Sequence, residues 1–236
     1  MRLKFEYFTI KSLIYPFGED LGEAVRLMAS NTILETHRCV TYICFMQNQL
    51  INYLQLIRHI SAEDTEIISS YFEHKVFKEG DYLFKGDGRV CRELFFLCKG
   101  VLRIVSVNDK GIELTHYFYK ENQLSTILQS FNDEVPSPAA IQASCDAEVL
   151  AISKSRLLEL YKQLPYMKEI IDQQNQLRLI EKINVRNTYL GEDAENQYKL
   201  FIMQNPDIAL RVPLKDIASY LGITPQSLSR IRKNIS

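Results

Sequence analysis

The segment Val212–Ile235 narrows the fold more than any other part of this chain. Ile217, Ala218 and Leu221 recur at helical spacing and give a short helix one apolar face. Gly222 follows, a residue that takes positive φ at a helix end without a steric penalty, and Ile223 anchors the turn. Thr224 can cap a second helix, and Pro225 suits its first position, where no amide hydrogen is needed. Leu228 and Ile231 put that helix back onto the first. The pattern predicts a helix-turn-helix. Its outer face is left with Gln226, Ser227, Ser229, Arg230, Arg232 and Lys233, hydrogen-bonding and cationic groups with no acid among them. That is the chemistry a major-groove reader needs. A helical hairpin that only completes a core is the weaker reading, because turn, cap and outer face all agree.

Composition bears on this reading only locally. The 236-residue chain is 46% hydrophobic and 24% charged, as ordinary soluble proteins are, and its net charge is −1. From Arg211 to Ser236, however, five basic side chains stand against Asp216 alone, a local net of +4. A DNA reader needs such a patch rather than a basic average. No apolar run approaches the ~18 residues of a membrane span. The first residues lack the basic, apolar and small-residue order of a secretory signal, which predicts a cytoplasmic location with no membrane partner. The five cysteines (Cys39, Cys44, Cys91, Cys98 and Cys145) form no C-x-x-C pair. Scattered thiols argue against a zinc or iron–sulfur site, and Cys98, alternating with Phe96 and Leu94, reads as a small buried hydrophobe.

Regular patterning begins at Met46. Leu50, Ile51, Leu54 and Ile57 mark one helix face, and Ser61 can cap a second helix carrying Ile67, Ile68, Tyr71 and Phe72. Residues 1–45 hold aromatic clusters, a Pro16-Phe-Gly18 break and one expected helix near Leu21 to Met28. They read either as an appended, non-native N-terminal extension or as an ordinary N-terminal subdomain. From Lys75 to Ile152 short alternating segments, among them Leu94–Cys98, Leu102–Val107 and Ile112–Phe118, are separated by glycine turns. Such spacing predicts a small antiparallel sandwich or barrel. Its last two strands, Ala140–Ser144 and Glu148–Ile152, are expected to pair around Cys145-Asp146. Ser153 can cap a helix that Pro165 stops, and a long helix follows from about Met167 to Tyr189. Ile170, Gln174, Leu177 and Glu181 form a 3.5-residue seam on it, with Met167, Ile171 and Ile180 beside them. That stripe suits a dimer contact or packing against the chain's own β domain. The expected divisions are residues 46–165, 166–190 and 191–236.

Glycine-punctuated strands, then a long helix, then a helix-turn-helix: this order resembles the bacterial cyclic-AMP receptor / fumarate–nitrate regulator (Crp/Fnr) family over about residues 47–236. The motifs that carry the resemblance are Phe77–Gly86, Glu93–Ile104 and Ile217–Ile231. It implies an α+β fold: an antiparallel β-roll, or jelly roll, a long central dimerisation helix, and a C-terminal all-α helix-turn-helix domain. It also implies a homodimer, with double-stranded DNA and RNA polymerase as partners. The chain departs from the family at the ligand pocket. Members that bind cyclic nucleotides carry a Gly-Glu that holds the ribose hydroxyl and an Arg that pairs with the phosphate. Here the corresponding stretches are Asn122–Phe131 and Val135–Ala140, without a Gly-Glu and with Ser137 or a neighbour at the arginine's place. A buried phosphate without a guanidinium loses its bidentate partner, which argues against cyclic-nucleotide binding in the usual mode. Ser125, Thr126 and Ser137, with backbone amides, could hold a different small-molecule effector, or the pocket is filled by its own side chains. The cysteines are not spaced for the family's iron–sulfur cluster, and His116 on a strand reads as a packed or half-exposed histidine rather than as a haem ligand. No cofactor is implied.

The function expected is sequence-specific transcription regulation through DNA. Gln226 can pair with adenine, and Arg230 with guanine or phosphate. Thr224 opens the helix, Ser227 and Ser229 reach phosphate or base edges, and Arg232 and Lys233 neutralise phosphate. Two-fold symmetry predicts an inverted repeat with half-sites roughly 34 Å apart. A ligand sensor that docks a protein partner through the C-terminal hairpin is the alternative. No nucleophile–base arrangement, phosphate loop or His pair for metal points to an enzyme.

Overall fold

The computed structural model describes residues 46–235, so the expected extension 1–45, with its helix near Leu21, lies outside the described residues. The first helix, α1, covers residues 46–55, and α2 is Ala62–Tyr71, capped as expected by Ser61, whose hydroxyl accepts from Asp64 N at 3.0 Å. Eight strands follow: β1 Glu73–Phe77, β2 Tyr82–Phe84, β3 Glu93–Lys99, β4 Leu102–Val107, β5 Glu113–Tyr119, β6 Gln123–Ser125, β7 Ala140–Ala143 and β8 Ala147–Ser153. A short helix, α3 (Leu128–Asp133), separates β6 from β7. All recorded strand pairs are antiparallel, in two four-stranded sheets ordered β1-β8-β3-β6 and β2-β7-β4-β5. The expected jelly roll is what the chain forms.

One expectation is corrected. β7 and β8 do not pair with each other: β7 joins β2 and β4, while β8 joins β1 and β3 in the other sheet. The chain changes sheets at Ser144–Asp146, and it does the same between β3 and β4 at Gly100. There φ is +99°, and a Cβ would lie 2.4 Å from the carbonyl oxygen of Asp146, so the two corners touch and only glycine fits.

Strand periodicity then divides the core. On β3, Phe95 and Leu97 point between the sheets, where they meet Leu102, Tyr117, Tyr119 and Ile141. Leu94, Phe96 and Cys98 point the other way, onto Met46, Leu50 and Leu54 of α1 and Ile68 of α2. With both sides covered, β3 is a continuous apolar run. Cys98 is buried as expected, and burial pushes its thiol up to about 12.

Ser153 caps α4 (Lys154–Gln163), which stops before Pro165; α5 (Tyr166–Tyr189) follows, 24 residues and about 36 Å long. The expected seam on α5 splits in two. Met167, Ile170 and Ile171 are buried in the chain's own core, because α1 and α4 present apolar faces to them. Gln174 accepts a hydrogen bond from the Tyr53 hydroxyl at 2.7 Å, and Glu181 pairs with Arg178. Leu177 and Ile180 are instead exposed, together with Leu179 and Ile183, each more than half. The remaining helices are α6 (Ala194–Gln204), α7 (Pro206–Arg211), α8 (Leu214–Leu221) and α9 (Pro225–Ile235). They share a third core built on Phe201, Ile208, Ile217, Ala218 and Leu228, into which Val101 and Phe118 of the β-roll also enter.

Candidate functional site

α8 and α9 form the hairpin that the C-terminal pattern predicts. α8 buries Ile217, Ala218 and Leu221, and Gly222 closes it at φ +69°. The amide of Ile223 donates back to Ala218 O at 3.0 Å, the closing bond of a left-handed helix end. The Thr224 hydroxyl accepts from Ser227 N at 3.1 Å and lies 2.9 Å from the Ser227 hydroxyl, so these two side chains cap α9. Leu228 is 0% exposed and fixes α9 against α8; Ile231 and Ile235 pack beside it. Gln226, Arg230, Arg232 and Lys233 remain exposed, and Ser229 is half-buried. The structure thus brings the seven expected residues onto one short helix and its cap.

What holds this hairpin could not be read from its own sequence. Arg103 on β4 is only 2% exposed and has every side of its guanidinium occupied. Nε and one terminal nitrogen donate to Gln142 Oε1 at 2.8 and 2.6 Å, the other donates to Thr115 Oγ1 at 3.0 Å, and Glu113 Oε2 accepts at 2.6 Å. The same guanidinium lies 3.1 Å from Oδ1 of Asp216, itself 3% exposed on α8, at ion-pair distance though without hydrogen-bond alignment. Burial pushes the Asp216 carboxyl above the usual aspartate range, while the Arg103 charge and the Ser144 hydroxyl pull it back. Asp216, the one acid among the basic residues from Arg211 onward, is thus paired inside the fold, and the outer face of the hairpin keeps its cations. One turn further on, Ser219 Oγ donates to Glu113 O at 2.7 Å and accepts from Thr115 N at 2.9 Å. Arg211 pairs with Glu121, whose carboxylate also accepts from Gly100 N at 2.8 Å. Phe118 of β5 completes an aromatic cluster with Phe201, Tyr220 and, through Tyr220, Tyr189. The helical domain is therefore seated on β4 by a buried charge pair and on β5 by backbone-directed hydrogen bonds and apolar packing.

The expected effector residues are placed differently from one another. Ser125 is fully buried on β6, and its hydroxyl has no hydrogen-bond partner among the described residues. The Thr126 hydroxyl donates to Glu93 O at 2.9 Å, and Ser137 Oγ accepts from Ala139 N at 3.1 Å. The cavity that Thr126 lines with Tyr119, Asn175, Arg178 and Lys182 measures about 70 Å³ and includes neither Ser125 nor Ser137. It is far below the roughly 300 Å³ at which small-molecule pockets begin. His116 is exposed on β5, its ring bonded to Ser106 Oγ at 2.7 Å. No cluster of His, Cys, Asp and Glu suited to a metal occurs among the described residues. Nor is any described helix long and apolar enough to cross a membrane.

Comparison with known proteins agrees with this architecture. Residues 74–164, from β1 to the end of α4, match the cyclic nucleotide-binding domain family. Among solved structures, the c-di-GMP-responsive global regulator CLP of Xanthomonas campestris is similar at 15% identity and a TM-score of 0.61, covering 74% of this chain and 91% of its own. A protein described as a transcriptional regulator of the Crp/Fnr family from Eubacterium rectale reaches 0.60 at 17% identity, over 78% and 87%. FixK2 of Bradyrhizobium japonicum reaches 0.59 at 14%, over 70% and 84%. A search of curated proteins by sequence finds no match. The chain carries a cyclic nucleotide-binding domain and has the fold of Crp/Fnr-type transcriptional regulators, C-terminal helical domain included.

Proposed function

We propose that this chain is a sequence-specific DNA-binding transcription regulator that works as a homodimer, with α8 and α9 as its helix-turn-helix. One observation carries the reading. α9 is held from behind by Leu228 and presents Gln226, Arg230 and Lys233 outward, while Asp216, the one acid in the sequence from Arg211 onward, is buried and paired. The outer surface is cationic and hydrogen-bonding where a major groove would lie. The fold shared with Crp/Fnr-type regulators supports it, and so does the exposed Leu177, Leu179, Ile180 and Ile183 face of α5, which suits pairing with a second copy. The half-sites would form an inverted repeat, RNA polymerase would be a further partner, and the location would be cytoplasmic. A cyclic nucleotide in the usual mode does not suit the β-roll, since the Thr126 and Ser137 hydroxyls are taken up by backbone groups of Glu93 and Ala139 and no arginine stands in the phosphate position.

Selection from random DNA fragments tests this. One shared palindromic motif is the expected result, and Arg230→Ala should lower affinity for it by about 1–3 kcal/mol and relax one half-site position. Retention of no common motif would instead favour docking of a protein partner by the hairpin.

A further inference from the structure

The expected effector position on β6 is closed, but a larger cleft opens at the seat of the helical domain. It measures about 570 Å³, within the range of small-molecule sites. β5 and α5 form one wall and α6 and α8 the other. Three nitrogen bases line it, His116, Lys182 and Arg186, together with Gln197 and the rings of Tyr189 and Tyr220. No Asp or Glu is among its lining residues.

The electrostatics of these groups are unbalanced. Lys182 donates to the Tyr119 hydroxyl at 2.9 Å and sits 4.8 Å from the Tyr117 ring, contacts that shelter an ammonium without neutralising it. Glu181, the carboxylate acting on Lys182, is already paired with Arg178. Burial, then the Arg178 charge, bring Lys182 down to about 8. His116 is lowered by burial and by the charges of Arg186 and Lys182, so the three groups work against one another. Cationic groups with no carboxylate among the lining residues, in a concave site with aromatic walls, are complementary to a flat anion.

We propose that this cleft binds a planar organic anion, an aromatic or heteroaromatic ring bearing a carboxylate or a phosphate, with the acidic group at Lys182 and Arg186 and the ring along Tyr189 and Tyr220. The site is distinct from the β6 position and from the outer face of α9. Binding there does not depend on whether α9 reads DNA. A ligand so placed touches β5 and α5 on one side and α6 and α8 on the other, so its occupancy bears on how firmly the helical domain is seated.

Calorimetric titration of the full chain with 2-naphthoate, 2-naphthyl phosphate and the neutral 2-naphthamide tests the assignment. At least one of the two acids should bind, and whichever is tighter identifies the acidic group preferred; the amide should bind about tenfold more weakly or not at all. Arg186→Gln, a change at an exposed position that leaves the fold intact, should weaken the acid about tenfold, and Lys182→Met should do the same. Equal binding of acid and amide, unchanged binding in Arg186→Gln, or no binding of either acid would each overturn the proposal.

Discussion

The two helices of the C-terminal hairpin are three residues apart and are held in opposite ways. α8 buries Asp216, Ile217, Ala218 and Leu221, gives a carboxylate to a guanidinium on β4, and bonds β5 through Ser219. α9 fully buries Leu228 alone and turns its charges to solvent. The β-roll thus grips the first helix, and the second is carried by it. Contacts that fix position and the polar face proposed to meet DNA are separated by one turn at Gly222. A change on α8 should act on stability, and a change on α9 on the proposed recognition.

The largest effect should come from Arg103→Met. It leaves the buried Asp216 carboxylate without its counter-charge, and loss of one partner of such a pair costs about 3–5 kcal/mol, read from the denaturant midpoint. The double variant Arg103→Met/Asp216→Leu should recover much of that loss, since apolar packing can replace a buried pair. If Arg103→Met is no less stable than the parent, the grip on α8 is not electrostatic. Ser219→Ala comes next: it removes two hydrogen bonds to β5 and should lower stability by about 1–2 kcal/mol. A smaller, pH-dependent effect is expected at Glu121. Burial pushes its carboxyl up, but hydrogen bonds from Arg211 and the Gly100 amide outweigh this and hold it below the usual glutamate value of 4.5. Its contribution is therefore present above pH 4.5 and is lost as pH falls through the depressed value, so the parent's advantage over Glu121→Gln should shrink on acidification. Arg230→Ala should change stability least, within about 0.5 kcal/mol, even where DNA binding falls.

The elements of this fold were legible because each rests on local chemistry. Ser61, Ser153 and Thr224 cap the helices their positions suggest, and Gly100 and Gly222 take the positive φ that their turns require. Strand partnership was less legible. β7 and β8 read as a hairpin because only a short turn separates them, yet the better partner of each lies elsewhere in the chain. The seam on α5 left two readings open for a related reason: Ile170 and Leu177 share a helical stripe, but α1 and α4 cover only the first of them. Arg103 and Asp216 were invisible as a pair. An arginine on an alternating strand and one acid in a basic segment each look like solvated charges until the topology brings them together.

The order β2-β7-β4-β5 leaves β5 at the margin of its sheet, where outward backbone groups have no neighbouring strand. Ser219 occupies that margin by accepting from Thr115 N and donating to Glu113 O. An uncovered strand margin is a template on which other chains assemble. Any rearrangement that lifts α8 from β5 thus exposes a surface prone to self-association, unless another part of the assembly covers it. The seated position of the helical domain therefore also protects the protein's solubility.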